Sequence, residues 1–183
     1  MSDTLEPQDI GPEGENKRES EIEELKKERI AIAYYYRQIS EDNPSEENGY
    51  TALDQLILHE FDILNEDDMY DQLEDLKDDI VFIAQMLDEG MEEIEIEYIM
   101  DEKDVLLRIA KGTLEGYITD DTVSRWTGLT SMEQIIVYEF GDMEVDRMIA
   151  IKKKLRSIEL NLRGGSTMKN KDEFENYFPL DIF

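Results

Sequence analysis

Apolar residues return every three or four positions along most of this chain, the spacing that places them on one face of a helix. From Ser20, with Glu23 three residues on in a capping-box pattern, Ile22, Leu25, Ile32, Tyr36 and Ile39 mark a first amphipathic helix interrupted by Arg29. Residues 40 to 49 read as loop, and Thr51 is placed to cap a second helix carrying Leu53, Leu56, Ile57, Phe61 and Leu64 on one side. A third opens at Asn65, where Glu66, Asp67 and Asp68 complement the positive end of the helix dipole. It repeats through Met69, Leu73, Leu76, Ile80, Ile83 and Leu87 until Gly90.

Ile94, Ile96 and Tyr98 alternate as a short strand would, although a helix fits the run equally well. A fourth helix is expected from Asp101 to Lys111, with Gly112 as its stop. Residues 117 to 139 read as two short helices about a Thr127-Gly128-Leu129 turn, with Val123 and Trp126 packed against Leu129, Met132 and Ile136 as in a helix-turn-helix. The last helix runs from Asp142 to about Arg163, with Val145, Met148, Ile149, Leu155, Ile158 and Leu162 inward. No repeat at a solenoid period is found. The expected fold is mainly α: a helical bundle with a helix-turn-helix-like segment and a possible short strand near 93–100. Its organisation is a disordered leader (1–19), an acidic helical domain (20–163), and a linker with a C-terminal tail (164–183).

Charge changes the picture more than length does. Nineteen Lys and Arg stand against 47 Asp and Glu, a formal net charge of −28 on 183 residues. Direct binding to nucleic acid needs clustered cations to displace counterions, so that class is excluded, and anionic membranes with it. Cysteine is absent, which removes disulfide frameworks, thiolate zinc sites and thiol catalysis. No stretch has the apolar length of a membrane span and the first residues have no signal-peptide pattern, so the expectation is a cytoplasmic protein with no cofactor.

Between Gln38 and Glu102 there are 23 carboxylates and one cation, Lys77. Asp67, Asp68, Asp71, Glu74, Asp75, Asp78 and Asp79 would form an acidic outer surface on the third helix, where like charges at i, i+3 and i+4 repel. Such a field suits a partner with a basic surface, or imitation of nucleic-acid phosphates; a solvated face is the bland alternative. The helix-turn-helix-like segment lacks the Lys and Arg of a DNA reader and is expected to pack or dock. Glu21, Glu24 and Glu28 could face Asp71, Glu74, Asp75 and Asp78 and hold Mg²⁺, as carboxylates do in all-α nucleotide pyrophosphatases, but no cluster of cations waits beside them for a phosphate. His59, the single histidine, reads as a surface residue. At least one of Tyr34, Tyr35 and Tyr36 must leave the core, which fits a contact surface or a homodimer seam.

The tail is the sharpest clue. Phe178, Leu180, Ile182 and Phe183 close the chain beyond a Gly164-Gly165-Ser166-Thr167 linker. Pro179-Leu180-Asp181-Ile182-Phe183 resembles the pentapeptide, roughly Gln-Leu-Ser/Asp-Leu-Phe in its bacterial form, by which replication and repair proteins and some phage late-transcription factors dock onto the ring-shaped sliding clamp. Leu180, Asp181 and Phe183 match, Ile182 is a close substitute, and Pro179 stands in place of Gln. The resemblance implies a sliding clamp or RNA polymerase as partner, with Phe178, Leu180, Asp181, Ile182 and Phe183 as the contact residues. The expected function is therefore a non-enzymatic accessory to replication or transcription, of phage or mobile-element type. The alternatives are a nucleic-acid mimic that blocks a restriction, CRISPR or polymerase enzyme, an assembly chaperone or scaffold, and last a Mg²⁺-dependent pyrophosphatase.

Overall fold

The computed structural model describes residues 12–63, 68–90 and 101–164. Six helices account for most of them: α1 (Pro12–Tyr35), α2 (Ala52–Phe61), α3 (Met69–Asp88), α4 (Glu102–Leu114), α5 (Ser131–Phe140) and α6 (Val145–Arg163). Among the described residues there is no strand, only an isolated antiparallel bridge between Val123 and Thr130. The protein is mainly α, as its periodicity requires.

α2 and α5 are buried on almost every side, and together they make the centre of the molecule. Leu53, Leu56, Ile57 and Leu58 of α2 meet Ile135 and Ile136 of α5 within a core that Ile30, Ile80, Ile109 and Leu155 complete from the other helices. Both central helices start alike. Thr51 and Thr130 are their N-caps, and each forms a capping box, with Asp54 and Glu133 respectively.

The agreement runs deeper than the caps. Laid over residues 108 to 140 without a gap, residues 29 to 61 are identical at 12 of 33 positions, among them Arg29/Arg108, Ser45/Ser124, Thr51/Thr130, Gln55/Gln134 and Glu60/Glu139. That many ungapped matches make the stretch from the end of α1 through α2 and the stretch from α4 through α5 two copies of one unit displaced by 79 residues, each followed by a third helix, α3 and α6. The period is too long to be a solenoid. The hydrogen bonds repeat with the sequence: Ser45 and Ser124 donate their backbone N–H to the carbonyls of Tyr50 and Leu129, both at 2.9 Å.

The bonds that join the units are reciprocal. Gln55 Oε1 accepts from the Thr119 N–H at 2.9 Å, and Gln134 Oε1 accepts from the Ser40 N–H at the same distance. Ser45 Oγ donates to Asp121 at 2.9 Å, and Ser124 Oγ donates to Asp42 at 2.7 Å. Contacts in which each partner supplies what the other lacks are the signature of a two-fold interface, here formed within one chain.

Several expectations change. α1 begins at Pro12 and not at Ser20, so part of the leader is helical: proline at a first helical position loses no hydrogen bond. α3 begins at Met69, and residues 64–67, with Asp67, lie outside the described residues, as does the strand expected near 93–100. Where two helices were expected about the turn at Thr127, only α5 forms. The Ser124 hydroxyl accepts the N–H groups of Trp126 and Thr127, at 3.0 and 3.1 Å, and such local bonds compete with a helix. Val123 and Trp126 are accordingly 53% and 66% exposed instead of packed inward, and Val145 and Ile149 also lie on the surface.

Candidate functional site: a carboxylate face and a buried charged centre

α3 divides its charges by side. Leu73, Ile80 and Ala84 face the core, and Lys77 reaches Glu41 at 3.1 Å and Asp54 at 3.0 Å. Asp68, Asp71, Glu74, Asp75, Asp78 and Asp79 are all exposed. Among the described residues only Asp79 of this set meets a cation, the Lys27 ammonium of α1 at 2.8 Å. Six carboxylates over the run from Asp68 to Asp79 cover about 16 Å at the helical rise of ~1.5 Å per residue, roughly one charge per 3 Å. A single strand of DNA carries one per ~3.4 Å.

The same geometry bears on Mg²⁺. Lys27, 8% exposed, lies between α1 and α3, within 3.3 Å of Glu24 and 3.8 Å of Glu23 as well as on Asp79. An ammonium therefore sits where carboxylates of the two helices meet. Glu21 pairs along its own helix with Lys17 at 3.9 Å, and Asp71, Glu74, Asp75 and Asp78 point to solvent.

The second constellation is buried, and it corrects the placing of His59. That residue, expected on the surface, is 1% exposed, because the unit repeat puts it where α2 faces α5. Its neighbours are Glu60 and, from α5, Glu139, with the imidazole Nε2 4.0 and 3.7 Å from their nearest oxygens. Arg108 of α4 donates from Nη2 to Glu60 at 2.9 Å and to Glu139 at 2.7 Å. Arg29 of α1 donates to Glu139 at 3.5 Å and lays its guanidinium 4.4 Å over the Tyr138 ring. The unit repeat pairs Tyr138 with His59, so the centre is built from Arg-Glu-His of one copy and Arg-Glu-Tyr of the other.

Burial sets the protonation. Removed from water and facing the Arg108 charge, His59 is pushed down to about 4 and is neutral near pH 7, with neither ring nitrogen hydrogen-bonded among the described residues. Burial and the neighbouring Glu139 carboxylate push Glu60 up, and burial raises Tyr138. His59, Glu60 and Glu139 place ligand atoms within 4.8 Å of one another, a spacing a metal ion could use. Two guanidiniums already neutralise the two carboxylates, however, and a divalent cation would have to displace Arg108 and face both positive charges. The arrangement ties the two units together.

Grooves also open on the surface of the described residues. One, of about 800 Å³, is bordered by Tyr34, Tyr35, Ala84, Asp88 and Trp126, with the Arg37 guanidinium 4.8 Å over the Trp126 ring. Tyr34 is held by its hydroxyl bond to Glu41 at 2.7 Å, whereas Tyr35 and Tyr36 are the exposed members of the triple. Another, of about 610 Å³, lies between α5 and α6 and is lined by Leu129, Val137, Met148, Ile149, Lys153 and Arg156.

Sequence reasoning located the carboxylate face and missed the buried centre. The signal for it was present in the self-match at 79 residues, whose identities include both arginines and both glutamates. The tail residues Phe178, Leu180, Asp181, Ile182 and Phe183 lie outside the described residues. No helix among the described residues is long and apolar enough to cross a membrane. Comparison with protein-family models, curated proteins and solved structures finds no match for this chain.

Proposed function

We propose that this protein acts by contact with other proteins and not by catalysis, its α3 carboxylate face docking on the basic surface of a nucleic-acid-handling protein in the cytoplasm. One observation carries the reading: Asp71, Glu74, Asp75 and Asp78 are exposed without a cationic partner among the described residues, while Lys27, Lys77, Arg108 and Lys152 are each paired with carboxylates elsewhere. Unrelieved repulsion along a helix costs a few tenths of a kcal/mol per pair, and a basic partner would recover it. The terminal pentapeptide supplies a second contact, to a sliding clamp or an associated polymerase, supported by its sequence resemblance. A phage or mobile-element accessory to replication or transcription combines the two.

The charge spacing along α3 favours one variant reading, in which the face occupies a nucleic-acid groove outright and inhibits its owner. Capture from host extract with the full chain, a chain lacking residues 176–183, and an Asp71→Lys/Asp75→Lys/Asp78→Lys chain separates the two. An accessory loses its partner with the tail, whereas a mimic keeps binding without the tail and fails only on charge reversal. Retention by the reversed chain of every partner, unaffected by salt between about 50 and 200 mM, would remove the carboxylate face from the mechanism.

A further inference from the structure

The groove between α5 and α6 gathers three cations, Lys152, Lys153 and Arg156, beside the carboxylates of Glu133 and Asp142. Lys153 and Arg156 stand exposed on its rim, and Lys152 crosses one end, bound to Asp120 at 2.8 Å and Glu133 at 2.9 Å. Its floor is apolar, made by Leu129, Val137 and Met148, and Val145 and Ile149 beside it are 73% and 46% exposed. On a chain of charge −28, this is an apolar trough whose exposed edge carries two cations, Lys153 and Arg156, against one carboxylate, Asp142. The connection between α5 and α6 runs beside it. Phe61 matches Phe140 by the repeat, and Lys77 and Lys152 bridge equivalent carboxylates, Glu41 with Asp54 and Asp120 with Glu133, so this connection is four residues shorter than its counterpart between α2 and α3.

The chain carries a segment of complementary chemistry. Residues 172 to 183, Asp-Glu-Phe-Glu-Asn-Tyr-Phe-Pro-Leu-Asp-Ile-Phe, hold four carboxylates and no cation, with Phe174, Tyr177, Phe178, Leu180, Ile182 and Phe183 as apolar content. It is joined by residues 164–171 to the helix that forms one wall. From Gly164, where the described chain ends, back to Val145 is about 28 Å along α6 at ~1.5 Å per residue. The 19 residues beyond Gly164 can reach roughly 60 Å when extended. A segment tethered so closely is present at an effective concentration on the order of millimolar, so weak complementarity suffices to seat it.

We infer that the α5–α6 groove is the docking site of the chain's own C-terminal segment, residues 172–183, which is seated there until another protein draws it out. Phenyl and aliphatic side chains lie against Leu129, Val137 and Met148, and the carboxylates meet Lys153 and Arg156. The inference stands apart from the carboxylate face on α3. It also holds whether or not the terminal pentapeptide binds a clamp; where it does, groove and clamp compete for the same residues.

The groove wall contains Met143 and Met148, and the absence of cysteine makes a single label simple to place. The experiment uses the full chain as Asn176→Cys carrying a nitroxide, with the methionine methyls observed by NMR at two protein concentrations. Selective broadening of Met143 and Met148 over Met69 and Met86 of α3, unchanged on dilution, is the expected result. Adding Lys153→Glu and Arg156→Glu should weaken seating about tenfold, since two surface ion pairs contribute roughly that factor together, and restore the two signals. Uniform or absent broadening overturns the inference. Broadening that fades on dilution overturns it in favour of docking between copies, and broadening indifferent to the charge reversals overturns the assigned role of the groove's cations. Clamp binding, measured separately with the same chain, can succeed or fail without altering the outcome at the groove.

Discussion

Gln55 and Gln134 hold equivalent places in the two units, and each accepts the backbone N–H of the loop that belongs to the other, Thr119 and Ser40 in turn. Each side-chain amide then donates within its own unit, to the carbonyls of Tyr50 and Leu129 at 3.0 and 3.1 Å. Both glutamines are almost wholly buried. Gln55→Leu or Gln134→Leu strands a buried N–H and a carbonyl and should cost about 1–3 kcal/mol each, read as a drop in urea midpoint at unchanged slope. The two losses should be similar in size, because the two settings are.

Arg108 is the keystone of the charged centre. Arg108→Met leaves Glu60 and Glu139 facing each other in the interior and should destabilise by roughly 3–5 kcal/mol at neutral pH. Adding Glu60→Gln and Glu139→Gln to that variant should return much of the loss, since the uncompensated charges are then gone. A thermal or urea titration of the single and triple variants checks this.

His59 makes stability depend on acid. Its folded value is about 4 against an ordinary 6.5, so the unfolded chain takes up the proton first as pH falls. The stabilisation is complete above about pH 6.5 and is lost progressively down to about pH 4, a drop on the order of 3 kcal/mol at ~1.4 kcal/mol per pH unit. Glu60, pushed up by burial, opposes this trend and is retained in the comparison. His59→Tyr, which copies the residue already at Tyr138, should fold and should flatten the fall between pH 6.5 and 4. A variant with an unchanged pH profile would show that the imidazole titrates normally.

On α3, stability and binding should move in opposite directions. Asp75→Lys and Asp78→Lys relieve i, i+3 and i+4 repulsion with Asp71, Glu74 and Asp79 and should leave the unfolding midpoint equal or slightly higher, by a few tenths of a kcal/mol per pair. Affinity for a basic partner should fall, and the salt dependence of binding should become shallower. Parallel losses in both would place these residues in the fold and not at an interface.

Helices whose apolar residues lie on one side were legible from their period: α3 lies close to its expected span, α4 starts where expected but runs through Gly112, expected as its stop, to Leu114, and Thr51 caps α2 as expected. α2 and α5 were harder because they are buried all round, and a helix without a polar side has no stripe to show which way His59 or Glu60 faces. The Ser124 turn escaped for a local reason, since a hydroxyl that accepts two N–H groups can replace a helical turn without altering the hydrophobic period. The carboxylate face was readable because charge on a regular helix maps directly to a side. The charged centre was not, because Arg29, Arg108, Glu60 and Glu139 are far apart in the chain and only the pairing of the two units brings them together.

The exchange of glutamines between halves also means that neither half has a finished interior. A chain nicked between α3 and α4 would leave each fragment with an unanswered amide, an uncovered α2 or α5 and half of the charged centre, one arginine and one glutamate. Such fragments should reassemble on mixing as obligate subunits do, which is how the arrangement would have begun if a self-pairing ancestor was doubled and spliced end to end.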